Sequence, residues 1–301
     1  LPYCTKKFVK RWYNTIMNYI NSPIEQITFN NRQYFIKRDD LLHPDFSGNK
    51  ARKFYFYLKN NFPDIKKIIS HGSAQSNAMY SISVLCKMKN LEFDYYVDHI
   101  ASFLKEEPIG NYKYALKNGM NIKEEKLPLS FNSDELFIKE GGALVEASFG
   151  IKILAEEIKS WAKENKIEKL KIFLPSGTGT TALYLQKYLP FEILTCACVG
   201  DEEYLKKQFE MLEQRKHPKI LQRLKKYHFG KLYKEFFDIH NELLKQTNIE
   251  YDLLYDSLGW ICLNNYLNSI NNIDFSILYI HQGGLLGNIS MKERYLYKYK
   301  K

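Results

Sequence analysis

The chain has 301 residues, 45% hydrophobic and 26% charged, an ordinary globular composition with ample length for a core. No apolar run approaches the roughly 18 residues of a membrane span, and Leu1-Pro2-Tyr3-Cys4-Thr5-Lys6-Lys7 shows no signal-like apolar region, so a cytoplasmic protein with no membrane partner is expected. A net charge of +10 favours acidic partners such as phosphate or carboxylate, but no nucleic-acid motif accompanies it, so no nucleic-acid partner is expected.

In chain order, strand-like and helix-like segments alternate. Gln33-Tyr34-Phe35-Ile36 reads as a strand and runs into Lys37-Arg38-Asp39-Asp40-Leu41. Phe46-Ser47-Gly48-Asn49-Lys50-Ala51-Arg52-Lys53-Phe54 then sets one lysine behind a small turn-forming triplet and ahead of an amphipathic segment. A lysine at such a junction can be desolvated beside a phosphate site, where it becomes a Schiff-base nucleophile; otherwise it is one solvated side chain among 44 Lys and Arg. Ile65 to His71 reads as a strand, followed by a small-residue turn and a helix-like run over 77–86. Residues 91–97 read as a strand and 109–117 as a helix. Phe137-Ile138-Lys139 leads to the Glu140-Gly141-Gly142 turn and a long helical pattern over 143–164. Leu170 to Pro175 is strand-like, then comes a Gly/Thr loop and a helix over 182–189. Ile193 to Val199 is strand-like, and Phe275 to His281 is a last strand that ends in glycines. This recurrence predicts an α/β fold with mainly parallel sheets.

Cys4, Cys86, Cys196, Cys198 and Cys262 have no zinc spacing and read as buried free thiols, with Cys196 and Cys198 on one face of a strand. Arg215, Lys216, Lys219, Arg223, Lys225 and Lys226 form a basic cluster whose apolar partners Ile220, Leu221 and Leu224 have roughly helical spacing. A solvated helix face is expected there, with a polyanion patch as the alternative.

Three turns could carry chemistry. Ser176-Gly177-Thr178-Gly179-Thr180-Thr181 joins a strand to a helix, where glycines admit an anion, the helix start offers N–H groups and the threonines add donors. It is neither a Walker loop nor Gly-x-Gly-x-x-Gly, which leaves a single phosphate or a threonine-rich cap with no ligand. His71-Gly72-Ser73-Ala74-Gln75-Ser76-Asn77 sets a hydroxyl and two amides at a helix start, fit for a carboxylate or simply an N-cap. His281-Gln282-Gly283-Gly284 follows the last strand; His281 is a base, a proton relay or a structural histidine. Ligands in open α/β sheets sit beyond the carboxyl ends of the strands, so these turns are expected to converge on one crevice.

Taken with Asp252-Leu253-Leu254-Tyr255, these motifs match a family in order and spacing. From about Phe29 to Gly287 the chain resembles the 1-aminocyclopropane-1-carboxylate deaminase and D-cysteine desulfhydrase group, pyridoxal-phosphate enzymes of the tryptophan synthase β-type fold. The resemblance implies two open twisted, mainly parallel sheets flanked by helices. It implies a large unit of residues 1–47 and 149–301, a small α/β unit of 48–148 inserted into it, the cofactor in the cleft between them, and a homodimer. Lys50 then looks like the lysine that carries pyridoxal 5'-phosphate, and Asn77 like the residue beside the cofactor's phenolic oxygen. Ser176, Gly177, Thr178, Gly179 and Thr180, continuing to Thr181, look like its phosphate cup. Ser76 and Tyr255 resemble the catalytic polar groups that face a small amino-acid substrate, with Gln75, Asn77 and Gln282 beside them. Asp256 falls where the family places a residue near the ring nitrogen.

The departures bear on the substrate. Asp256 favours the deaminases, which have an acidic residue there, over the desulfhydrases, which have a small hydroxyl residue. Gln282 matches neither group, Phe229 stands where the deaminases have tyrosine, and Ser73 and Ala74 crowd a turn that usually has two glycines. The implied activity is deamination of D-cysteine or the cyclopropane amino acid to a keto acid and ammonia, with sulfide released from D-cysteine. The alternatives are a serine or threonine dehydratase, or a relative that binds the cofactor or an amino acid with little catalysis.

Overall fold

A hairpin opens the described structure. In the computed structural model, which describes residues 19–214 and 216–299, β1 (Ile24–Phe29) pairs antiparallel with β2 (Arg32–Arg38). The turn residues Asn30 and Asn31 both have positive φ, the backbone that a two-residue hairpin asks for and that asparagine tolerates. Cys4, the opening segment and Arg215 lie outside the described residues.

The remaining strands are parallel. One sheet runs β1-β2-β10-β7-β8-β9, with β7 (Leu170–Ser176), β8 (Glu192–Ala197), β9 (Lys219–Ile220) and β10 (Ser276–His281). A four-stranded parallel sheet runs β5-β4-β3-β6, with β3 (Lys67–His71), β4 (Glu92–Tyr96), β5 (Met120–Lys123) and β6 (Glu135–Ile138). Both central strands β7 and β10 are almost wholly buried, which is why they read as continuous apolar runs rather than alternating ones.

Helices α1 (Gly48–Lys59), α2 (Asn77–Lys89), α3 (Ser102–Glu106) and α4 (Gly110–Lys117) belong to the stretch around the smaller sheet. α5 (Ala147–Glu164), α6 (Thr180–Tyr188), α7 (Glu202–Leu212), α8 (Lys234–Thr247), α9 (Asp256–Asn268) and α10 (Gly287–Tyr299) follow. Trp260 of α9 is fully buried, stacked on Tyr279 of β10 at 4.5 Å and edge-on to Tyr34 of β2 at 5.0 Å. That aromatic stack joins α9 to the middle of the larger sheet.

The helix expected around Lys219 to Lys226 is not there. Lys219 and Ile220 instead extend the open edge of β8, opposite Leu194 and Thr195, and the chain from Leu221 to Lys226 is irregular. Pairing with a free strand edge outcompetes local helical spacing, and Leu221 is buried in the core as a result. The cysteine expectation holds for the described residues: Cys86, Cys196, Cys198 and Cys262 are all free and buried, and the Cys196 and Cys198 sulfurs lie 3.8 Å apart on one face of β8 and its extension. Among the described residues no helix is long and apolar enough to cross a membrane.

Candidate active site

The N-terminal ends of α1, α2, α6 and α9 meet the carboxyl ends of β7 and β10 around one cavity of about 460 Å³. Lys50, Gln75, Ser76, Asn77, Tyr255, Asp256, Gln282 and the whole loop from Ser176 to Thr181 line it. The convergence expected from topology is therefore present.

Lys50 owes its position to a tight turn. Gly48 has φ +66°, and a Cβ there would stand 1.9 Å from the Gln282 carbonyl oxygen, so only glycine lets α1 start this close to the end of β10. The Asn49 N–H donates to that same carbonyl at 3.0 Å. The Lys50 amine donates to the Gly141 carbonyl at 3.1 Å. Burial pushes its pKa down to about 8 against a weaker pull upward from Glu140.

A second amine was not anticipated. Lys53 is 3% exposed, donates to the same Gly141 carbonyl at 3.0 Å and reaches Thr178 Oγ1 at 3.5 Å. Burial and the neighbouring Lys50 charge push its pKa well below the lysine range. Two amines crowded on one carbonyl, each with its charged form disfavoured by burial, would gain from a neighbouring anion. The three-residue spacing of Lys50 and Lys53, which puts both on one helix face, was the available signal.

The loop beside Lys53 has the matching donors. Gly179 caps α6, and the first backbone bond in that helix is from Leu183 to Gly179, so the N–H groups just before it lack helical partners. Thr178 and Thr180 hydroxyls bond each other at 3.0 Å, while the buried Thr181 hydroxyl has no partner among the described residues. Ser176 is held from behind by Thr195 at 2.6 Å.

The floor is acidic and fixed. Asp256 accepts from the Tyr279 hydroxyl at 2.7 Å and from the Asp252 N–H at 3.0 Å, and burial pushes its carboxyl up. Asp252 is pushed up to about 7 by burial and by the Asp256 charge. Tyr255 lies against Gly177, and burial raises its hydroxyl pKa, which keeps it protonated. Phe229 packs on Tyr255 at 5.2 Å and stands half-exposed in the cavity wall.

Three residues of the predicted turns are held by partners within the chain, and only the bracing role of Gln282 lay beyond the sequence. Gln282 donates to the Pro175 carbonyl at 2.7 Å and accepts from Asn49 at 3.0 Å, so its amide braces β7 against α1 while lining the cavity. Ser76 accepts from the Ala78 and Met79 N–H groups as the N-cap of α2, which leaves its hydroxyl proton for another acceptor. His281 is fully buried, donates from Nε2 to the Glu250 carbonyl at 2.7 Å and accepts at Nδ1 from the Gly283 N–H at 3.2 Å. It serves as a structural residue.

No protein-family model matches the chain. The chain is 22% identical to a rice (Oryza sativa subsp. japonica) protein named "Putative D-cysteine desulfhydrase 2, mitochondrial", over 87% of this chain and 80% of that one. The crystal structure of a homologue of 1-aminocyclopropane-1-carboxylate (ACC) deaminase superposes with a TM-score of 0.72 at 20% identity, over 92% of this chain and 93% of the other. A hydrogen sulfide-producing enzyme of Fusobacterium nucleatum superposes with a TM-score of 0.60 at 13% identity, over 90% and 97%. The chain thus has the tryptophan synthase β-type fold, fold type II of the pyridoxal-phosphate enzymes, and resembles the 1-aminocyclopropane-1-carboxylate deaminase and D-cysteine desulfhydrase group.

Proposed function

We propose that this chain is a pyridoxal-phosphate-dependent deaminase or lyase that converts a small amino acid, D-cysteine or the cyclopropane amino acid, to a 2-keto acid and ammonia, releasing sulfide in the first case. The observation that carries the reading is a half-buried lysine with its pKa lowered to about 8, in one cavity with a buried second lysine and a threonine hydroxyl that has no partner among the described residues. These groups fit the cofactor. Lys53, the hydroxyls of Thr178, Thr180 and Thr181 and the start of α6 would hold its phosphate, Lys50 its aldehyde carbon, Asn77 its phenolic oxygen and Asp256 its ring nitrogen.

Bound there, pyridoxal phosphate supplies an electron sink next to the substrate's α-carbon. The chain's own groups do the rest. Gln75, Ser76 and Asn77, at the positive end of α2, hold the substrate carboxylate. Neutral Lys50 takes a proton from a substrate carbon, which its lowered pKa permits near neutral pH. Tyr255, kept protonated by burial, donates to the substrate from beside the Ser176–Thr181 loop. Gln282 contributes a fixed wall to the substrate pocket. Residues 1–47 and 149–301 are proposed as the larger unit, 48–148 as the inserted one, and a homodimer as the assembly. The buried free thiols suit a reducing compartment such as the cytoplasm.

The test is to reconstitute the protein with pyridoxal phosphate and assay keto acid, ammonia and sulfide release from D-cysteine and from the cyclopropane amino acid, with L-serine and L-threonine alongside. Turnover of either of the first two is expected. A coloured protein that acts only on serine or threonine is a dehydratase, and one that acts on none is a binding protein; both outcomes overturn the reading.

Cofactor uptake should depend on pH in a defined way. Only a neutral amine attacks the aldehyde, so a pKa of about 8 leaves about a tenth of Lys50 reactive at pH 7. The initial rate of colour formation should rise with pH up to about 8 and then level off. A rate still climbing through pH 10 is the behaviour of an ordinary solvated lysine.

A further inference from the structure

Asn111, the second residue of α4, is 4% exposed and lines the same cavity, and no role described above uses it. Its Nδ2 donates to the backbone carbonyl of Gln75 at 3.0 Å and to Asn77 Oδ1 at 2.7 Å. Its Oδ1 is buried and has no partner among the described residues. The amide therefore works purely as a donor.

That arrangement settles which way two carboxamides point. A backbone carbonyl only accepts, so the end of Asn111 that faces Gln75 has to be its NH2. Turned over, the amide would bring two oxygens to 3.0 Å in a buried place. The second proton of the same NH2 then requires an acceptor, so the Asn77 atom at 2.7 Å is its oxygen. The Asn77 NH2 is thereby directed the other way, to the side of Gly284. There a Cβ would come within 2.6 Å of Nδ2, so the glycine leaves the room that this rotamer needs. Among the described residues that NH2 donates to nothing. A lone carboxamide exchanges its oxygen and nitrogen by rotation about χ2 at little cost. Here the Gln75 main chain, acting through Asn111, removes that freedom.

We propose that Asn111 is a positioning residue that acts through Asn77, holding the Asn77 NH2 as a fixed donor to the phenolic oxygen of the cofactor. The proposal rests on the pyridoxal-phosphate reading given above. A donor held ready costs nothing to orient when the cofactor binds, and a hydrogen bond to an ionised oxygen is among the stronger ones. Asn111→Ala leaves Asn77 free to rotate. Asn111→Asp goes further, because a carboxylate accepts and would draw the Asn77 NH2 to itself, turning the Asn77 oxygen towards the phenolic oxygen.

The experiment is a binding titration, read by calorimetry so that both ligands are reported alike, of two aldehydes: pyridoxal phosphate and its analogue lacking the 3-hydroxyl. Wild type, Asn77→Ala, Asn111→Ala, Asn111→Asp and the Asn77→Ala/Asn111→Ala double variant are compared, with thermal melts to check folding. For pyridoxal phosphate, Kd should rise about tenfold in Asn111→Ala and more in Asn111→Asp. For the analogue it should stay within about twofold, because the oxygen that the donor serves is missing. In the Asn77→Ala background, Asn111→Ala should add no further loss. Equal weakening for both aldehydes, or an independent loss in the double variant, makes Asn111 a packing residue and overturns the proposal. Variants that bind both aldehydes like wild type overturn it as well, while the cofactor reading survives. A wild type that binds neither aldehyde overturns the cofactor reading itself.

Discussion

Lys50→Ala should give a folded protein that no longer develops the visible absorbance of lysine-bound pyridoxal phosphate and whose keto-acid release falls on the order of a thousandfold or more. Lys53→Ala is the informative companion. Both amines reach the Gly141 carbonyl, at 3.1 and 3.0 Å, so distance to that group does not separate them. What separates them is that Lys53 also reaches Thr178 in the anion loop, whereas no hydrogen bond ties Lys50 to that loop. Lys53→Ala should therefore retain the absorbance and bind the cofactor more weakly, by about tenfold, as the loss of one charged phosphate contact implies. If Lys53→Ala were the colourless variant and Lys50→Ala the coloured one, the two roles would have to be exchanged.

Arg52→Ala should destabilise the protein by about 3–5 kcal/mol, lowering the melting temperature by roughly 10 °C. Arg52, between the two lysines, is 1% exposed. Its guanidinium makes a bidentate pair with Asp39 at 2.7 and 3.0 Å and a second pair with Glu157 of α5 at 2.7 Å. Lys37 of β2 completes the group at 2.7 Å from Glu157, and the Ser22 hydroxyl donates to Asp39 at 2.6 Å. Removing the arginine leaves two buried carboxylates facing one lysine. Burial alone would raise the Glu157 pKa; the Arg52 hydrogen bonds and charge hold it below its ordinary value. Without Arg52 its folded pKa should lie above the unfolded one, so the variant loses stability as pH rises through that range. The difference from wild type should then be smaller near pH 5 than near pH 8. A pH-independent deficit, or one below about 1 kcal/mol, would falsify the account of this cluster as a buried ionic joint. The same network fixes the start of α1, so cofactor affinity should weaken along with stability.

Much of this was legible because it is local. Ser176 to Thr181 reads as a glycine-threonine loop at a helix start, and the structure makes it one, with Gly179 as the cap and the Thr181 hydroxyl without a partner among the described residues. Ser76 has the residue type of an N-cap and is one. The departures from expectation arise where distant segments meet. The basic cluster around Lys219 has helical spacing, but β8 offered an unpaired edge, and two residues of the cluster took it. Helices α7 and α8 have polar faces on the outside and a few buried anchors, Leu205 and Phe209 in one and Phe236, His240 and Leu243 in the other, a signal too thin to read without the surface they cover.

By itself the sequence determined the alternation of strand, glycine turn and helix, and the residue types that stand at each turn, because both follow from backbone freedom and side-chain periodicity within a few neighbours. Only the tertiary structure decided what those residues do to each other. Gln282 became a brace because Pro175 and Asn49 came within hydrogen-bond reach, residues 107 and 233 positions away along the chain. Lys50 became a low-pKa amine because folding stripped water from it, and Lys53 became its neighbour at the anion loop because α1 points both at Gly141. Asn77 acquired one orientation through a carbonyl it does not itself touch. Desolvation and hydrogen-bond direction belong to the assembled cavity, and no stretch of chain carries them alone.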